Sequence, residues 1–127
     1  MYESNNSILS IKSDAFSTRI VRMVNYPNKN CDKIMSPLFN QVLRSGTSIA
    51  ANIGESQFAQ SRADFINKLH IATKEANETH KWLLMLFNGG CITKQQFESM
   101  DADCNEIIAI LVASLKTSKT NLEQVVK

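Results

Sequence analysis

Breakers are scarce in this chain. Four glycines and two prolines in 127 residues leave little room for the many turns of a multi-stranded sheet and favour long, uninterrupted helices. The cysteines, Cys31, Cys91 and Cys104, are odd in number and form no CxxC pair, so neither a disulfide framework nor a zinc site is expected. A net charge of +2 is too small to imply a nucleic-acid partner by itself. No apolar run approaches 18 residues and no charged-then-apolar leader opens the sequence. No membrane span or export signal is expected, and the default location is a reducing cytoplasm.

Catalytic combinations are equally thin. The two histidines, His70 and His80, stand ten residues apart, which on a helix separates them by about 80° and about 15 Å. They cannot form an i, i+4 metal pair. Glu75 and Glu78 sit at i, i+3, but the Glu-x-x-His of a di-metal bundle is absent because His80 follows Glu78 by two. There is no phosphate-cradling glycine loop and no Ser/His/Asp or Cys/His constellation. The expectation is a non-enzyme without metal, cofactor or small-molecule substrate.

What is present is helical periodicity in a chain 43% hydrophobic and 20% charged, an ordinary globular balance. Phe16, Ile20, Met23 and Val24 share a face of a helix over 10–25, with Arg19 and Arg22 pointing away. Tyr26-Pro27-Asn28-Lys29-Asn30 reads as a turn. Ser36-Pro37 reads as N-cap and first position of a helix over 37–56. Ser61 with Asp64 opens a third helix over 62–88, which Gly89-Gly90 stops, and Thr93 with Gln96 forms a capping box before a fourth over 94–117. Phe97, Met100, Cys104, Ile107, Ile108, Leu111, Val112 and Leu115 make that helix's stripe, and the segment after it is expected to fray, or to gain a helical turn or two through Leu122, Val125 and Val126. Short links predict an all-α, antiparallel up-down four-helix bundle in one domain, 1–127.

The second helix is unusual. Leu38, Phe39, Val42, Leu43, Ile49, Ala50 and Ile53 cover one arc, and Gln41, Arg44, Ser48, Asn52 and Glu55 form a polar stripe opposite. Arg44 and Glu55 are its only charges, fewer than a water-facing surface usually carries. Gly46, Ala50 and Gly54 recur every fourth residue and predict a close neighbouring backbone. The stripe is therefore expected to be covered by a neighbouring subunit. On the third helix, Ile71 and Trp82 lie off the core stripe of Phe65, Leu69, Ala72, Ala76, Leu83, Leu86 and Phe87 and form a candidate contact patch. The two chain ends lean basic, whereas residues 89–112 set Lys94 alone against Glu98, Asp101, Asp103 and Glu106.

The run Arg44-Ser45-Gly46-Thr47-Ser48-Ile49-Ala50-Ala51-Asn52-Ile53-Gly54-Glu55-Ser56, followed by Ser61, Phe65, Leu69-His70-Ile71-Ala72, Glu75 and Glu78, resembles the bacterial four-helix-bundle proteins encoded in intervening sequences of the 23S ribosomal RNA gene. Gly54 and Ser56 stand where that family has Ala and Gly. The resemblance implies an antiparallel four-helix bundle that assembles as a homopentamer. It also implies a relative, the accessory protein of diversity-generating retroelements, that binds a reverse transcriptase and nucleic acid. Arg44, Ser48, Asn52, Glu55, Glu75 and Glu78 are then candidates for a subunit interface or motif polar network. Arg19, Arg22, Lys74, Lys81, Lys116 and Lys119 are candidate phosphate contacts for RNA or DNA. The alternative is a protein-only assembly factor whose partner docks on the acidic fourth helix or at Trp82.

Overall fold

The computed structural model describes the backbone of residues 2–26 and 31–126, and the side chains of 8–26 and 31–121. Four helices account for almost all of it: α1 (Tyr2–Asn25), α2 (Ser36–Ser56), α3 (Arg62–Asn88) and α4 (Lys94–Val126), with a 3-10 turn, Lys33–Met35, before α2. No strand occurs among the described residues. Each helix packs on its neighbour in sequence, and α1 closes the ring against α4.

The pairing across each seam runs in opposite senses. Ser17 bonds Gly46 and Ser10 bonds Gln57; Arg44 meets Glu78 and Glu55 meets Lys68; Ala76 meets Cys104 and His80 meets Asp101; Lys12 meets Glu106 and Arg19 meets Asp103. The bundle is therefore antiparallel throughout, as the short links predict.

The core follows the sequence stripes. Leu9, Phe16 and Ile20 from α1, Val42, Ile49 and Ile53 from α2, Leu69, Leu83 and Leu86 from α3, and Ile107 and Leu111 from α4 are all closed to solvent. Burying such side chains contributes about 1.5–3 kcal/mol each.

The helix ends show which local signals act. Thr93 and Gln96 form a complete capping box: Gln96 N donates to Thr93 Oγ1 at 3.0 Å and Thr93 N to Gln96 Oε1 at 2.8 Å. Ser61 caps α3 by accepting from Asp64 N at 3.0 Å, while the Asp64 carboxylate accepts from Gln60 N at 3.3 Å rather than from Ser61 N. After α3, Gly90 takes φ +78, the left-handed region that suits glycine. This lets Cys91 N reach Leu86 O at 2.8 Å.

Several expectations are corrected. Ser36 is not the N-cap of α2; Met35 is, without a side-chain cap, and Ser36 Oγ donates back to Lys33 O at 2.7 Å. Asp32 caps the 3-10 turn instead. α1 begins at Tyr2 rather than Ser10, and α4 runs to Val126 instead of fraying after 117; Leu9 and Ser118, just outside the expected bounds, are both buried. Residues 27–30 of the expected turn lie outside the described residues.

The expectation that no disulfide forms is overturned. Cys31 and Cys91 form a disulfide with Cα atoms 4.7 Å apart, within the ordinary range. It ties the α1–α2 link to the α3–α4 link at one end of the bundle. Only Cys104 remains a free thiol, and it is buried in the α4 stripe.

Candidate functional site

Three residues of the sequence motif meet across the α2–α3 seam. Arg44 Nη2 donates to Glu78 Oε2 at 2.8 Å, and its Nη1 donates to Glu75 Oε2 at 3.1 Å. Arg44 Nε also donates to Gln41 Oε1 at 3.2 Å. Glu75 is only 14% exposed, so the guanidinium neutralises a largely desolvated carboxylate. The Glu78 hydrogen bond, with the charges of both glutamates, holds Arg44 above its ordinary value against the opposing effect of burial.

The rest of the α2 stripe closes on itself. Ser48 Oγ donates to Arg44 O at 2.7 Å, and Asn52 Nδ2 donates to Ser48 O at 2.8 Å. Glu55 pairs with Lys68 of α3 at 3.0 Å and raises the lysine's pKa through that hydrogen bond. Beneath the ion pairs, the buried hydroxyls of Ser45 and Thr79 meet at 2.8 Å. Sequence reasoning missed this link, whose two hydroxyls come from different helices. Ile71 and Trp82 are half-buried, and Trp82 packs against the core. Its indole N–H is closed to solvent and has no acceptor among the described residues.

The expected close neighbouring backbone is found at neither glycine. A Cβ on Gly46 would lie 3.0 Å from Ile20 Cγ1 of α1, a side chain rather than a backbone, and a Cβ on Gly54 would meet nothing within 4 Å. Gly46 admits α1 within the same subunit.

The basic candidates do not form one patch. Arg19 does not face away: it is half-buried, pairs with Asp103 and donates to Ser99 Oγ at 2.7 Å. Arg22 is exposed, and both arginines line one open groove of about 420 Å³ between the end of α1 and the start of α4. Lys74 and Lys81 are exposed on α3, and Lys116 and Lys119 on α4.

His80 has a carboxylate partner after all: Nδ1 pairs with Asp101 Oδ1 of α4. Three residues further along α4, Cys104 Sγ donates to Ala76 O at 3.3 Å. Burial, with a further contribution from Asp101, pushes that thiol up from 9.0 to about 12, so it is protonated and a poor nucleophile at neutral pH. Among the described residues no group of three or more His, Cys, Asp or Glu side chains is arranged to hold a metal ion. No helix among them is long and apolar enough to cross a membrane.

These features define an all-α four-helix bundle in which an arginine–glutamate network joins α2 to α3. The model of the 23S rRNA-intervening sequence protein family matches residues 6–113, and the chain belongs to that family. It is also similar to a crystal structure of a protein of unknown function from the S23 ribosomal protein family of Bacteroides thetaiotaomicron. The two are 44% identical with a TM-score of 0.81, over 88% of this chain and 98% of that one. No curated protein matches.

Proposed function

We propose that this chain is a non-enzymatic, homo-oligomeric scaffold whose copies meet on the outward side of α2. One observation carries the reading. Between Ile34 and Phe58 the only charged side chains, Arg44 and Glu55, are both neutralised by α3 of the same chain. That stretch is bracketed by the most exposed large hydrophobic side chains among the described residues, Ile34 at 78% and Phe58 at 84%. A surface with its charges already paired and apolar side chains at both ends loses little on desolvation and gains from burial. A second copy is the occupant, and five is the number that the family resemblance implies. The half-buried Ser48 and Asn52 lie within this face.

A nucleic-acid partner is the second reading. Lys74 and Lys81 stand about two turns apart on the exposed side of α3, and neither has an ion pair among the described residues. Five copies would repeat that pair around a ring, giving phosphate contacts that weaken steeply with salt. Without them the scaffold serves proteins alone.

Light scattering on the full chain tests both readings. A pentameric mass is expected, and Asn52→Lys or Glu55→Lys should reduce it to a monomer; a wild-type monomer removes the α2 reading. Added RNA should raise the mass at low salt and release it at moderate salt. Indifference to RNA leaves the protein-only scaffold.

A further inference from the structure

We infer that the open groove between α1 and α4 binds a nucleoside monophosphate. Arg19, Arg22, Met23 and Tyr26 line it from the α1 side, and Gln96 and Met100 from α4. Its volume, about 420 Å³, falls in the range of small-molecule sites.

Among the described residues the lining holds two guanidinium groups and no carboxylate of its own, and Asp103 already neutralises Arg19 from outside it. Arg19 is held in place by Asp103 and Ser99. Arg22 has no hydrogen bond or ion pair among the described residues, so its planar fork is free to take two oxygens of one phosphate. Tyr26 is 70% exposed and offers a ring face on which a base can stack. The thioethers of Met23 and Met100 supply a polarisable floor suited to an aromatic ring. Gln96 gives its Oε1 to Thr93 N, which orients the amide and leaves its NH2 group to donate to a ring nitrogen or carbonyl. Phosphate fork, stacking face, sulfur floor and one fixed donor together fit a base joined to a phosphate better than either part alone.

The same chemistry occurs in a free nucleotide and in the 5′ end of a single strand. Calorimetric titration of the full chain with AMP, adenosine, inorganic phosphate and a short 5′-phosphorylated oligonucleotide separates them. AMP should bind in the submillimolar range, with adenosine and phosphate each at least tenfold weaker. Arg22→Gln should weaken AMP at least tenfold without lowering the melting temperature. Tyr26→Ala should weaken AMP and adenosine but leave phosphate unchanged. An oligonucleotide as tight as AMP identifies a strand end as the ligand, and a weaker one identifies the free nucleotide. AMP binding that is absent below millimolar concentration, or indifferent to Arg22→Gln, overturns the assignment.

Discussion

Arg44 on α2 reaches Glu78 on α3 at 2.8 Å while its other terminal nitrogen holds Glu75, so one guanidinium clamps two carboxylates a helical turn apart. Replacing it leaves Glu75 nearly buried and unpaired. Arg44→Met should lower the unfolding free energy by about 1–2 kcal/mol, above the range of a lone surface pair because two acids lose their partner. Arg44→Lys should recover less than half, since an ammonium cannot fork. Urea denaturation of the three proteins decides the matter. Equal stability of wild type and Arg44→Met would show that the clamp contributes nothing to the fold.

The Cys31–Cys91 bridge closes a loop with a sequence separation of 60. The chain-entropy relation gives about 4 kcal/mol for a loop of that length, and native bridges commonly deliver about 2–4. Reduction, or Cys31→Ser, should shift the denaturation midpoint by a corresponding amount. A change below about 1 kcal/mol would mean that packing alone holds that end of the bundle.

Gly46 and Gly54 lie on one helix, two turns apart, yet should respond to alanine with opposite signs. At Gly54 the added methyl meets open space, so Gly54→Ala should raise stability by about 1 kcal/mol through helix propensity. At Gly46 it would press on Ile20, and the repacking, about 1–3 kcal/mol, should outweigh the same gain. Paired thermal melts read the two signs directly.

Cys104 predicts an alkaline limb. The folded chain holds its thiol proton up to about pH 12, against 9.0 for the ordinary group. The unfolded chain therefore binds fewer protons between those values, and stability present below pH 9 is lost as pH rises towards 12, at up to about 1.4 kcal/mol per unit. Cys104→Ala should flatten the limb when melts at pH 8.5 and 10.5 are compared. At pH 8 the native thiol should resist iodoacetamide.

How much was legible follows how far apart the deciding residues stand. Thr93 and Gln96 are three residues apart, so their capping box is written locally, and the stripe from Phe97 to Leu115 repeats a helical period. The four helices and their order were therefore readable. Cys31 and Cys91 lie in different links, and Asp101 faces His80 from another helix; only the assembled bundle brings these pairs together. Arg44, Glu75 and Glu78 were named from the family pattern, but their meeting within one subunit depends on the α2–α3 register. The early start of α1 was hidden because the residues before Leu9 carry little helical preference of their own.

The disulfide also changes what a broken backbone would mean. Residues 31 and 91 enclose the whole α2–α3 hairpin, so the chain is a covalent ring with α1 and α4 leaving it as two tails from one end. A protease that cuts once at the Gln57–Gln60 link, where Phe58 stands exposed, would not release a fragment. The nicked molecule would gain the mass of one water, run as a single species without reductant and separate into two pieces only when thiols are added.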